Sequence, residues 1–236
     1  MIDISNISKR IGKKQLLDGI SLSVRKGEIF GLLGANGAGK STLVSILATV
    51  IEPSEGSFSI NGRRSDKELK KIRETIGFVP QEIALWEDLT VYDNMRFWSN
   101  FSGKDITKER IKELCMAVRL PDRWDMRVSD LSGGMKRKLN IAVSLLHDPD
   151  VLLMDEPTVG IDIQSKLEIN EYMRELAKAG KTIIYITHDV SEIMHLCDRI
   201  GVLRKGKVIY TGTIQEAARL RQSTEIEQVL YDLLKE

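Results

Sequence analysis

A chain of 236 residues, 42% hydrophobic and 29% charged, has the make-up of an ordinary globular protein with room for a sizeable core. Its net charge of +1 sets up no global field for nucleic acid or an anionic membrane. No run of about 18 apolar residues offers a bilayer span, Cys115 and Cys197 are far apart and lack metal spacing, and Met1 to Asn6 do not read as a signal peptide.

Ile2, Ile4 and Ile7 open an apolar–polar strand pattern, and Ile20, Leu22 and Val24 alternate as a second strand should. Arg25 to Glu28 then turn the chain into the apolar run Ile29-Phe30-Gly31-Leu32-Leu33. There follows Gly34-Ala35-Asn36-Gly37-Ala38-Gly39-Lys40-Ser41, the phosphate-binding pattern G-x-x-x-x-G-K-[ST]. After Thr42, Leu43, Ile46, Leu47 and Val50 recur at helical spacing, so the motif stands between a strand and a helix, as it requires. Its glycines let successive N–H groups point at one anion, and the helix start adds partial positive charge. Lys40 suits the β- and γ-phosphates, and the Ser41 hydroxyl suits Mg²⁺.

A turn at 52–56, a strand at 57–60 and the tight turn Asn61-Gly62 complete a small antiparallel sheet around a parallel core. Residues 66–74 have helical spacing, and Ile76-Gly77-Phe78-Val79 is a strand ended by Pro80-Gln81. From about 90 to 147 the pattern is helical: a start near Thr90, a helix at 108–118, and Leu139, Ala142, Val143 and Leu146 on one face of another. Strands at 151–154 and 182–186 alternate with helices at 164–178 and 190–196. Ile200 to Leu203 and Val208 to Tyr210 form a hairpin, and 213–236 closes with helical spacing.

Four apolar runs end in polar groups: the phosphate loop, Gln81, Asp155-Glu156 and Thr187-His188-Asp189. In open parallel sheets ligands bind beyond the carboxyl ends of the strands, so parallel strands would bring these groups together. Asp155 then suits Mg²⁺, Glu156 suits the general base for a water, Gln81 can position water or metal, and His188 can donate to a γ-phosphate. Each has a plainer alternative: a polar turn for Asp155-Glu156-Pro157, a loop side chain for Gln81, and a helix start for His188. Cys115, Cys197, His147 and His195 read as core or surface. Trp86, Trp98 and Phe101 read as core or interface, without the stacking pattern of a single-strand nucleic-acid binder.

Leu131-Ser132-Gly133-Gly134-Met135 sets a second anion-binding helix start about twenty residues before Asp155. Alone it is an ordinary serine cap with a glycine hinge. One nucleotide has no obvious need of two cradles in one subunit, and a dimer in which each cradle serves the other subunit would explain both.

Together these residues resemble the ATP-binding subunit of an ABC transporter over nearly the whole chain. Walker A falls at Gly34 to Ser41, the Q-loop at Gln81, and the signature at Leu131 to Met135. Walker B falls at Val151 to Asp155, followed by Glu156, a D-loop through Gly160-Ile161-Asp162 and a switch histidine at His188. The resemblance implies an α/β P-loop NTPase core with a mainly parallel sheet, an N-terminal antiparallel subdomain and a helical signature subdomain. It implies ATP and Mg²⁺ as ligands and a head-to-tail dimer, of identical or similar cassettes, in which Ser132, Gly133 and Gly134 meet the partner's nucleotide. It also implies a separate transmembrane permease docked around 81–101, at the inner face of the cell membrane, and no nucleic-acid partner.

Two positions depart from the family's usual pattern. Ile11 stands where the family carries an aromatic residue for adenine, and Met135 where it usually has glutamine. Met135 with Lys136-Arg137-Lys138, and Glu156-Pro157-Thr158-Val159-Gly160, resemble the branch that exports drugs, antibiotics, lipids or polysaccharides. The alternative is a soluble cassette ATPase of repair, translation or signalling. The chain lacks the long coiled coil of the repair ATPases and the second cassette of the translation factors.

Overall fold

The structure, a computed structural model, describes residues 1–220 and 226–235. Strands β1 (Ile2–Ile11), β2 (Lys14–Val24), β4 (Glu55–Ile60) and β5 (Arg63–Arg64) form an antiparallel sheet in the order β2-β1-β4-β5. Strands β3 (Ile29–Leu33), β6 (Ile76–Val79), β7 (Val151–Asp155), β8 (Thr182–Ile186), β9 (Arg199–Arg204) and β10 (Lys207–Gly212) form a second sheet in the order β10-β9-β3-β8-β7-β6. All of its strands run parallel except β10, which returns from β9 through Lys205 and Gly206. Both of these have positive φ, as a two-residue hairpin turn requires. The expected α/β architecture, an antiparallel sheet beside a mainly parallel one, is therefore present.

Strands β3, β7 and β8 are buried at every residue, the state of a parallel strand covered on both faces. Alternate side chains feed two cores. Phe30, Leu32, Leu153, Ile184 and Ile186 pack with helix α1 (Lys40–Leu47) and the antiparallel sheet. Ile29, Leu33, Leu152, Met154, Ile183 and Tyr185 belong to the other, which continues without a break into the helices.

Those helices are α2 (Leu69–Arg73), α3 (Val91–Ser99), α4 (Lys108–Ala117), α5 (Gly133–Ser144), α6 (Ile163–Lys178), α7 (Val190–Leu196), α8 (Ile214–Leu220) and α9 (Ile226–Lys235). Thr90, Thr107, Ser132, Asp162 and Asp189 cap α3 to α7, each side chain accepting a backbone N–H of the first turn. No helix among the described residues is long and apolar enough to cross a membrane.

The structure corrects two expectations. The helix expected at 66–74 is confined to α2, because only Ile72 there is buried and Arg64 pairs with Asp66 in the preceding turn. The tail expected at 213–236 is helical where it is described, as α8 and α9, with 221–225 and 236 outside the described residues. Helix α5 does not bury a single face. It buries Arg137, Lys138, Leu139, Asn140, Ile141 and Ala142 in succession, because it packs against α3, α4, α6 and β6.

Candidate active site

The strand register brings the four polar ends together. Asp155 pairs with Ile186, Ile186 with Leu32, and Met154 with Val79, so Gly34, Gln81, Glu156 and Thr187 all leave the sheet at one edge. A cavity of about 660 Å³ opens there. Gly34, Ala35, Asn36, Gly37, Gly39, Lys40, Ser41 and Thr42 line it, and Gln81, Glu156 and His188 face them.

Helix α1 starts at Lys40 directly behind Gly39, which has φ of 108° and no side chain to cap the helix. A β-carbon at Gly39 would lie 2.6 Å from Leu17 Cδ2 and 2.9 Å from the Leu16 carbonyl oxygen, so only glycine fits. The first helical N–H groups therefore point at the cavity without intrahelical partners. Lys40 Nζ donates to the carbonyls of Gly34 at 2.7 Å and Ala35 at 3.1 Å, folding the cation onto its own loop. Burial holds the Lys40 ammonium below its ordinary pKa, against the opposing pull of Glu156 and Asp155. Ala38 turns away from the cavity. Its N–H donates to Ala35, its carbonyl accepts from Gly206, and its side chain joins the core.

Asp155 stands behind the wall, 6% exposed, and its Oδ1 is buried with no hydrogen-bond partner. Burial, reinforced by the Glu156 charge, holds this carboxyl above the ordinary aspartate pKa, while the Ser41 hydroxyl and Lys40 oppose the rise. Glu156 has φ of 48°, a left-handed conformation that costs a non-glycine residue about 1–3 kcal/mol and recurs at functional sites. Its Oε1 lies 3.6 Å from Nδ1 of His188, whose ring is 61% exposed.

Sequence reading missed four contributors. Lys14 and Leu16 line the cavity because β2 runs past Gly39, a contact with no local signal. Arg137 Nη1 donates to the carbonyls of Pro80 at 3.1 Å and Gln81 at 2.8 Å, and Asn140 Oδ1 accepts from the Ala84 amide at 3.3 Å. Helix α5 thus grips the segment carrying Gln81. The start of that helix lies away from the cavity: Ser132 and Gly133 are exposed, and Ser132 Oγ accepts from the Met135 amide at 3.2 Å. Gly134 is buried against α6, where a β-carbon would overlap the Ser165 hydroxyl. Cys115 and Cys197 are buried free thiols.

A helix start built to hold a polyphosphate, faced by a carboxylate and an imidazole from neighbouring strand ends, puts the chain among the P-loop nucleotide hydrolases. Residues 17–159 match the family described as ABC transporter. The linearmycin resistance ATP-binding protein LnrL of Bacillus subtilis (strain 168) is 44% identical over 215 residues, covering 90% of this chain and 69% of that protein. Nod factor export ATP-binding protein I of Burkholderia orbicola (strain AU 1054) is 40% identical over 213 residues, covering 89% and 70%. A solved ATP-binding subunit of an ABC transporter aligns with a TM-score of 0.88 at 26% identity, covering 99% of each chain. The dimeric, post-hydrolysis structure of the ATP-binding cassette MJ0796 with ADP and Pi aligns at 0.81 and 28% identity, covering 90% of this chain and 98% of that one. The chain belongs to the ABC transporter family, as one of its ATP-binding ATPase subunits.

Proposed function

We propose that this chain is the motor of an exporter of drugs, antibiotics, lipids or polysaccharides, working as an ATP-sandwiched pair of cassettes on a separate transmembrane permease. The observation that carries this reading is the separation of two cradles in one chain. The loop at Gly34 to Thr42 lines the cavity, while Ser132 and Gly133 are exposed at the start of α5 and do not line it. A second cassette laid head to tail gives the outward cradle a nucleotide. The dimeric MJ0796 structure and the relatives named for linearmycin resistance and Nod factor export support the same reading. Residues 1–236 are read as one cassette, with 90–147 as its helical part and 213–236 as its tail, held at the inner face of the membrane by the permease.

In this mechanism the backbone N–H groups of Gly37 and of Gly39 to Thr42 hold the phosphates, and Lys40 exchanges the carbonyls of Gly34 and Ala35 for β- and γ-phosphate oxygens. The residues present fit Mg²⁺: Asp155 keeps one buried oxygen without a partner, and the Ser41 hydroxyl lies near the same carboxyl group. Among the described residues no cluster of three or more acids, histidines or cysteines could cage a metal, which suits an ion that takes few protein ligands besides phosphate and water. Ser41 and Asp155 would hold it, with Gln81 alongside, and when bound it neutralises charge on the β- and γ-oxygens. Glu156 takes a proton from water as the water oxygen bonds to the γ-phosphorus and the bond to the bridging oxygen breaks, giving ADP and phosphate. His188 donates to the γ-phosphate.

The permease is assigned to a groove of about 300 Å³ lined by Phe78, Pro80, Ala84, Trp98, Phe101 and Val143. Phe101 is 70% exposed there, and Asn140 lines the groove while holding the Ala84 amide. A push in the groove therefore reaches Gln81 through α5. The test is purification from detergent-solubilised membranes of the source cells. A transmembrane protein should co-purify with the chain and be lost with Phe101→Asp. Recovery from the soluble fraction alone overturns the reading.

A further inference from the structure

Glu156 and His188 also line a second cavity of about 250 Å³, with Thr158, Lys166, Asp189 and Glu192. Its inner wall is a polar network between α6, α7 and the end of β8. Thr187 Oγ1 donates to Glu192 Oε2 at 2.6 Å, Asn170 Nδ2 donates to Glu192 Oε1 at 3.2 Å, and the Tyr185 hydroxyl donates to Asn170 Oδ1 at 3.0 Å. Glu192 is 3% exposed, and a carboxylate so buried requires a cation. Lys166 supplies it, with Nζ at 3.7 Å, and makes a closer ion pair with Asp189. Asp189 Oδ1 accepts from the amides of Ser191 and Glu192 at 2.8 and 3.2 Å, and its own N–H donates to Thr187 Oγ1 at 3.1 Å.

His188 sits between these two anchored neighbours. Its own ring is exposed and meets Glu156 only at 3.6 Å, so its place is set by Thr187 and Asp189. Lys166 belongs to α6, whose cap, Asp162, ends the segment running on from Glu156. The lysine thus ties the loop of His188 to the helix that follows the loop of Glu156. It does not line the nucleotide cavity.

We propose that Lys166 is a positioning residue for hydrolysis, holding the His188 loop at its working distance from Glu156 through Asp189 and Glu192. This rests on the reading of Glu156 and His188 as the pair that acts on water and γ-phosphate. The rival role is a partly exposed ion pair that stabilises the fold and nothing else.

Steady-state ATPase assays on the full chain, with Mg²⁺ and ATP, distinguish the two. Lys166→Met should lower kcat about tenfold or more while KM for ATP stays within about twofold, the signature of lost alignment rather than lost binding. Lys166→Arg should restore most of the rate. Asp189→Asn should reproduce the loss without uncapping α7, since asparagine caps a helix as well as aspartate, and it carries the test if Lys166→Met does not fold. In a His188→Ala background Lys166→Met should add nothing, because the two changes act through one group. Wild-type kcat in Lys166→Met, or the same further loss without His188, overturns the proposal. Full activity in His188→Ala alone overturns the underlying reading, and it is seen in a chain whose Lys166 is intact.

Discussion

The Lys40 ammonium lies 2.7 Å from the carbonyl oxygen of Gly34, six residues earlier in the same loop. The cation that should meet a nucleotide's phosphates is thus held inside the cradle. Lys40→Ala removes both the point charge and the cross-loop bonds. Turnover should fall by about 10²-fold or more, the scale seen when a preorganised donor to developing charge is deleted. Normal ATPase activity in this variant would refute the P-loop assignment.

Asp155 is expected to trade stability for function. Its carboxylate is buried with one oxygen unpartnered, and burial raises its pKa. A carboxyl whose folded pKa is raised destabilises the fold above that pKa and ceases to do so below the ordinary aspartate value, about 3.9. Asp155→Asn should therefore melt higher than wild type at neutral pH without nucleotide, by about 2–4 °C for each kcal/mol relieved. The gain should vanish in acid, and turnover and Mg²⁺ dependence should be lost. Hydrolysis with unchanged Mg²⁺ affinity would remove Asp155 from the metal site.

His147 gives the opposite pH sign to that of Asp155. Burial lowers its pKa, and Nε2 lies 2.9 Å from the Ile76 carbonyl oxygen. A base with a lowered folded pKa contributes stability that is present above its unfolded value, about 6.5, and is lost as pH falls below it. The melting temperature should therefore decline between about pH 7 and 5.5. His147→Gln, whose amide can still donate to Ile76, should flatten that decline. An unchanged slope would assign the dependence to other groups.

Much of this arrangement is legible in the sequence because it depends on neighbours in the chain. Strand β7 is apolar and buried up to Asp155, so the acid at its end marks the sheet's edge from sequence alone. The caps Thr90 and Ser132 are legible for the same reason. Arg137 and Lys138 are not. They look like a solvated charge run, yet their partners are the Pro80 and Gln81 carbonyls and Glu168, on segments distant in sequence. Lys14 and Leu16 reach the cavity only because β2 packs on Gly39. Contacts of this kind follow from tertiary packing and carry no periodicity.

The base end of the nucleotide should be weakly read. Among the described residues no Phe, Tyr or Trp lines the cavity, and Ile11, 61% exposed, pairs with Lys14 at the tip of the β1–β2 hairpin. Aromatic stacking, worth about 1–3 kcal/mol per base in other proteins, should therefore be absent or reduced. GTP should compete with ATP to within about tenfold. Discrimination of several hundredfold would mean that another side chain reads the base.

The Glu156–His188 pair and Ser132 together test the closed dimer. Glu156→Gln keeps the side chain's shape but removes the base, so hydrolysis stalls while phosphate binding persists. Each cavity would then retain its ATP, and each exposed Ser132 cap would meet the nucleotide of the other copy. Glu156→Gln should form a lasting dimer with ATP and Mg²⁺, read by light scattering or size exclusion. Adding Ser132→Arg puts a bulky side chain at that contact and removes the bond from the Met135 amide, at a cost of about 0.5–2 kcal/mol to α5. That cost is too small to unfold a typical domain, and Lys40 is untouched, so the double variant should bind ATP as a monomer. If it dimerises as well as Glu156→Gln alone, the start of α5 does not serve a second subunit. If Glu156→Gln stays monomeric at high concentration even with its permease, the closed pair is not how this cassette works, and Glu156 is only a carboxylate at a strand end.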